Sequence, residues 1–203
     1  MLKEVKQILY LSRFYMLLSG GVFLLSLLGG VAFVHLFPDA SANYVNQLQQ
    51  HLGFVNDFTS TQMFLFLFIN NSVKTFLYAV MGILFAVPTV IFLVFIGAVL
   101  GFVVAVMYPS LGGVTLFNSL FYHGIFELTA IFIASGVGLF LGAETVKEIG
   151  LKIFSKDAVK VVKRSTVYRK HFKPAVYAVL ITAIPLLVIA GVIETIMLNI
   201  LKG

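Results

Sequence analysis

Two titratable residues, His123 and Glu127, lie within an apolar run that extends from Leu116 to Gly142. They are four positions apart, so on a helix their side chains project from one face, with Ser119 one turn before them. A charged residue at the centre of a membrane helix costs roughly 2.5–3.5 kcal/mol in insertion experiments, and such residues usually face the protein interior or a water-filled cavity. The pair could therefore move protons, bind a metal ion, or hold neighbouring helices together as a buried polar latch.

The metal interpretation needs more ligands than this pair supplies. His123 and Glu127 offer two, and the zinc-hydrolase pattern His-Glu-x-x-His does not occur in the sequence. Further oxygen ligands on other apolar segments would come from Asn70, Asn71 and Glu194, although Glu194 is expected at the outer interface. No cofactor is therefore expected, and a metal ion at His123 and Glu127 remains an alternative. No Ser-His-Asp arrangement, Walker loop or dinucleotide fingerprint is found.

A second group of polar residues, Asn70-Asn71-x-x-Lys74, lies near the middle of another apolar segment. Asn and Lys are costly at that depth. Because Lys74 and Glu127 lie at similar positions along their predicted helices, we expect an ion pair between them. Asn70 or Asn71 would then bond to His123. The alternative is that Lys74 extends its charged end to an interface.

The composition indicates an integral membrane protein with little soluble mass. The chain is 60% hydrophobic and 11% charged, with a mean hydropathy of +1.05, whereas about a quarter of the residues in a soluble domain are charged. It contains no cysteine, which excludes disulfides, thiolate nucleophiles and thiolate metal sites.

The apolar segments predict a single all-α domain, residues 1–203, built as a polytopic membrane bundle. A span needs about 20 apolar residues, so the long run after residue 62 must contain two helices, with a break between Gly82 and Pro88. The first run is longer than a signal-peptide core of about 7–15 residues and is interpreted as a retained helix. Five spans are predicted, over residues 14–37, 63–85, 88–108, 116–142 and 174–201.

The charge distribution predicts the orientation of the bundle. Nine of the fourteen Lys and Arg residues lie between Lys147 and Lys173, and three lie in the first thirteen residues. The loop at residues 38–62 contains neither Lys nor Arg and shows partly helical apolar spacing. Basic loops stay in the cytoplasm, so the N-terminus is expected inside, the loop at 38–62 and the C-terminus outside, and the basic segment at 143–173 inside.

The basic segment has its charges at helical spacing, with apolar residues between them. This pattern is typical of a helix that lies on an anionic inner leaflet. A docking surface for a cytoplasmic partner is the alternative. Nucleic-acid binding is not expected, because aromatic residues are not regularly interleaved with these charges. The residues concerned are Lys152, Lys156, Lys160, Lys163 and Arg164.

Small residues form stripes on two predicted spans. Gly97 and Gly101 lie on one face of the third span, and Gly138 and Gly142 on one face of the fourth. Such small-xxx-small patterns let helices approach closely. Packing within one chain is the simpler interpretation, and a seam of a homo-oligomer, with a dimer favoured, is the alternative.

Two short motifs resemble the stage II sporulation protein M family: Phe-Ile-Asn-Asn at residues 68–71 and His-Gly-x-x-Glu-Leu at residues 123–128. The five-span layout with an outer loop after the first helix is also similar. A Pro often precedes the His-Gly pair in that family, where this chain has Tyr122. The resemblance implies an all-helical membrane protein that, in spore formers, anchors a complex with two peptidoglycan-degrading proteins. The wall chemistry would then belong to the partners, and the family also occurs in organisms that make no spores.

The expected function is a scaffold or assembly protein of the cell envelope, in the cytoplasmic membrane. Its expected partners are the anionic bilayer, further copies of the chain and other envelope proteins. One alternative is a small proton- or ion-coupled transporter or channel that uses the same polar residues. An intramembrane metal-dependent hydrolase is the least favoured alternative.

Overall fold

The structure, a computed structural model, describes residues 2–52, 58–154 and 168–202. For residues 48, 49, 51, 52, 119, 123, 151–154, 168, 169 and 198–202 it describes the backbone alone. The described residues form six α-helices and no strand: α1 Leu2–Leu36, α2 Pro38–Leu52, α3 Ser60–Val80, α4 Val87–Leu111, α5 Gly113–Phe154 and α6 Lys173–Lys202.

Five of these helices, α1 and α3 to α6, are long and apolar enough to cross a membrane. The predicted fold class, an all-α bundle with five candidate spans, is therefore confirmed. The remaining helix, α2, is short and rich in polar residues. It covers much of the predicted outer loop and packs against α1, with the Tyr44 ring 5.4 Å from the ring of Phe102 on α4.

Two helices extend well beyond their predicted spans. α1 begins at Leu2 rather than near residue 14, and its first turns bury Val5 and Ile8 in the core. α5 has 42 residues, which corresponds to about 63 Å. It includes the start of the predicted basic segment as far as Phe154, since no proline or turn signal interrupts the helix there.

The fold is organised around α5, which packs against α1, α3, α4 and α6. In its apolar window 56% of the residues are buried, compared with 17–33% in the other four candidate spans. The largest of the other helix contacts join α1 to α4 and α3 to α6, and smaller ones join α1 to α6, α3 to α4 and α1 to α2. The helix that contains Glu127 is therefore the central helix of the bundle.

Glycines allow the close approach of α1 and α4. Gly97 and Gly101 of α4 lie against Phe23 and Leu27 of α1, and Gly30 of α1 lies against the backbone of α4. A side chain at any of these three positions would overlap the facing backbone.

Gly138 and Gly142 of α5 are also covered by neighbouring segments of the same chain. Gly138 faces the Tyr78 carbonyl and Thr89, and Gly142 faces Ala86. With Gly97 and Gly101 also facing α1, these four glycines contact other helices within the chain, and a seam between two copies would need another surface.

A short connection joins α3 to α4 at the predicted break. A 3₁₀ turn spans Met81–Ile83, and Phe85 and Ala86 follow with φ of 59° and 64°. Pro88 lies in the first turn of α4, where its missing N–H has no cost. The Thr89 hydroxyl donates to the Tyr78 carbonyl at 2.7 Å, which fastens the start of α4 to the end of α3.

Candidate functional site

Helix α3 begins at a capped N-terminus and carries its polar residues on one side. Thr59 caps its N-terminus in a capping box with Gln62, whose side chain accepts a hydrogen bond from the Thr59 backbone at 2.9 Å. From that start, Asn71, Thr75 and Tyr78 follow at helical spacing and lie together on the side that meets α5.

The facing surface of α5 is formed by Glu127 and Ile131, one turn apart. Further along, Gly138 contacts Tyr78. Because Glu127 lies beside the earlier residues of α3 and Gly138 beside the later ones, α3 and α5 run in the same direction. This is the relation expected of the second and fourth spans of an alternating bundle.

A void of about 10 Å³ lies between these two surfaces, and we call it the polar void. Five of its seven lining residues carry a polar side chain; the other two are isoleucines of α4 and α5. The polar residues are Asn71, Lys74, Thr75, Tyr78 and Glu127. The structure thus brings together three of the residues that the sequence analysis singled out: Asn71, Lys74 and Glu127.

Lys74 and Glu127 are neighbours that line the same polar void, but no ion pair within 4 Å joins them. Glu127 is half-buried, whereas Lys74 is exposed. The direct ion pair that the sequence predicts is therefore not formed, and the two side chains meet only at the polar void.

Glu194 of α6 lies at about the level of Glu127, since its neighbours Ile193 and Met197 line one space with Tyr122 and Phe126 of α5. It is half-buried, and its place at the outer interface stays a prediction. Because α6 packs against both α5 and α3, two carboxyl groups and one lysine come from three helices that contact one another.

The asparagines bond to each other. The Asn70 amide donates to the Asn71 side-chain oxygen at 3.4 Å. The bond predicted between an asparagine and His123 involves a side chain outside the described part of the structure, as do the predicted positions of the Ser119 and His123 side chains. Among the described residues, no group of three His, Cys, Asp or Glu side chains comes together.

Thr75 is a member of the cluster that sequence reasoning missed. It is 1% exposed, and its hydroxyl has no hydrogen-bond partner within the described chain. Its spacing of four residues from Asn71 is the signal that could have identified it. Threonine is common in apolar helices, however, so spacing alone does not separate it from a packing residue.

A second, much larger space also borders Glu127. We call it the apolar groove; its volume is about 680 Å³, and residues of α1, α4 and α5 line it. The lining is almost entirely aliphatic and aromatic, and Glu127 contributes its only carboxyl group among the described residues. Glu127 therefore separates a small polar space from a large apolar one.

The basic segment at 143–173 is described only in part. Glu144 and Lys147 form an exposed ion pair of 2.7 Å on α5. The backbone of Lys152 continues α5, while its side chain and the residues Lys156, Lys160, Lys163 and Arg164 lie outside the described residues.

Comparison with known families gives one match. The family model described as stage II sporulation protein M matches residues 19–197, a range that contains the polar void, the apolar groove and all of α3 and α4. No curated protein and no solved structure matches the chain significantly.

Proposed function

The chain belongs to the stage II sporulation protein M family, and from that premise we propose that it is a non-enzymatic scaffold of the cell envelope. It resides in the cytoplasmic membrane and assembles there with copies of itself, most simply as a dimer, and with other envelope proteins. The cluster of Asn71, Lys74, Thr75, Glu127 and Glu194 acts as an internal latch that fixes α3, α5 and α6 against one another.

The observation that carries this proposal is the contrast between the two spaces at Glu127. The polar void has room for about one water molecule. The apolar groove is large, but its walls offer almost no groups to hydrate an ion. A transport path needs a continuous polar or water-filled lining, so the polar cluster is better suited to holding helices together than to conducting ions.

The small number of residues outside the long helices also supports a scaffold. The described residues outside the five long helices are α2 and short connections, so the bulk of the molecule lies at membrane depth. Many large apolar side chains on α1 and α4 are exposed, such as Leu17, Leu25 and Phe95. Such surface suits contact with lipid or with the apolar helices of other chains.

The scaffold proposal predicts that the purified protein, reconstituted in liposomes, gives no proton, sodium or potassium flux above that of empty liposomes. Glu127→Gln is expected to lower the yield of folded protein and the fraction of dimer, measured by size-exclusion chromatography with light scattering. Glu144→Gln is the matched control on the same helix, because Glu144 forms an exposed ion pair with Lys147 and does not line the polar void, and it is expected to leave both quantities unchanged.

A flux through the wild-type protein that a well-folded Glu127→Gln variant abolishes would contradict the scaffold proposal. That result would make transport through the polar cluster the leading function.

A further inference from the structure

The polar void has room for about one small molecule. We propose that it binds one water molecule, which bridges the Lys74 ammonium group and the Glu127 carboxylate. The inference deepens the proposed function, because it rests on the polar cluster that serves there as the latch. It assigns Thr75 as the residue that positions the water.

The first observation is the Thr75 hydroxyl. Thr75 is 1% exposed, its Oγ1 has no hydrogen-bond partner within the described chain, and the residue lines the polar void. Buried hydroxyls are nearly always hydrogen-bonded to protein or to ordered water. A water molecule in the void would satisfy this one.

The second observation is the size and lining of the void. A cavity of about 10–15 Å³ holds one water molecule when two to four polar groups surround it. The void measures about 10 Å³. Lys74 and Thr75 can donate to the water oxygen, and the water can donate to Glu127 and to the side-chain oxygen of Asn71. Four hydrogen bonds then complete its coordination.

The third observation is the arrangement of charge. Lys74 and Glu127 line the same void but form no ion pair within 4 Å. A water molecule that bridges two polar groups is nearly as favourable as a direct hydrogen bond between them. The lysine at the void also disfavours a metal cation, so the neutral water is the occupant that the charges favour.

Thr75→Val tests the water site, because the proposal predicts whether the midpoint of thermal unfolding falls or rises. Valine has nearly the same shape as threonine and carries a methyl group in place of the hydroxyl. If the hydroxyl holds a bridging water, the midpoint of thermal unfolding in detergent is expected to fall by about 2–4 °C, the shift that corresponds to one ordinary hydrogen bond in a chain of this size. Thr75→Ser keeps the hydroxyl and is expected to recover most of the loss.

Ser135→Ala is the matched control. Ser135 is also fully buried without a partner within the described chain, but it does not line the polar void. Its replacement is expected to leave the midpoint unchanged or to raise it, because its hydroxyl does not adjoin the polar void in which the proposed water lies. An unchanged or raised midpoint for Thr75→Val would overturn the water site.

A double-mutant cycle links the water to the charged pair. In a chain that already carries Lys74→Met and Glu127→Gln, Thr75→Val is expected to have no effect on the midpoint, because the water then has no charges to bridge. An equal loss in both backgrounds would overturn the bridge.

Direct observation provides a measurement that does not depend on how the variants fold. An experimental structure that resolves buried waters is expected to contain density within hydrogen-bond distance of Thr75 Oγ1. Well-ordered side chains without such density would overturn the proposal. These tests are separate from the liposome flux assay, so the water site and the scaffold function can fail independently.

Discussion

At Glu127 a single carboxyl group borders two spaces of opposite character, the polar void and the apolar groove. Its stability in the bundle depends on groups from other helices, since a carboxylate at membrane depth is costly when it is left alone. Lys74 lines the same void as Glu127, while Glu194 adds a second carboxyl group at about the same level of the bundle. At the scale of single residues, the charges of these three side chains are therefore the most important feature for the stability of the bundle.

This balance predicts a measurable coupling between Lys74 and Glu127. Lys74→Met is expected to destabilise the protein because it leaves both carboxyl groups without the lysine charge. The loss is expected to shrink when Glu127→Gln is also present, with a coupling free energy between about 0.6 kcal/mol, the average for polar contacts between membrane helices, and about 1.7 kcal/mol, the largest value. Unfolding by a denaturing detergent in mixed micelles would measure all four members of the cycle.

The exposed pair of Lys147 and Glu144 provides the comparison. The same cycle there is expected to give at most about 0.5 kcal/mol. A Lys74–Glu127 coupling no larger than this surface value would count against the latch.

At the scale of the elements, the contact between α3 and α5 depends on a glycine. Gly138 faces the Tyr78 carbonyl and the Thr89 side chain, and Thr89 in turn donates to that carbonyl. One glycine therefore allows α5 to approach the end of α3 and the start of α4 together. The distance between α3 and α5 at this point also limits the size of the polar void.

Gly138→Ala is predicted to destabilise the bundle by about 1–3 kcal/mol, the usual cost of inserting atoms into a packed contact. Gly124→Ala on the same helix is the control, because a Cβ there meets nothing within 4 Å. It is expected to be neutral or stabilising, by up to about 1 kcal/mol, since alanine favours the helix. Equal effects of the two variants on the fraction that stays monodisperse after heating would contradict the packing described for Gly138.

At the scale of the whole molecule, hydropathy was sufficient to predict the five long helices and the break near Pro88. It was not sufficient for the length of α1 and α5, since helix ends outside the bilayer depend on packing, as at Val5 and Ile8. Hydropathy also did not identify Thr75, because the polar void that this residue lines forms only when α3 and α5 pack together.

The orientation of the bundle stays a prediction. It can be tested with single introduced cysteines, because the sequence contains no cysteine of its own. Ser110 and Val146 are exposed near opposite ends of the bundle. In intact cells, a membrane-impermeant maleimide is expected to label Ser110→Cys and to label Val146→Cys only after lysis, because basic segments stay inside. The reverse labelling would show that the orientation derived from the charges is wrong.

The length of α5 has a mechanical consequence. A helix of 42 residues without proline, about 63 Å long, is about twice as long as the hydrocarbon layer is thick. It passes through the centre of the bundle as one continuous helix. We therefore expect a tilt imposed at the Phe154 end to displace the Gly113 end as well. Such a helix would couple the two ends of the bundle mechanically.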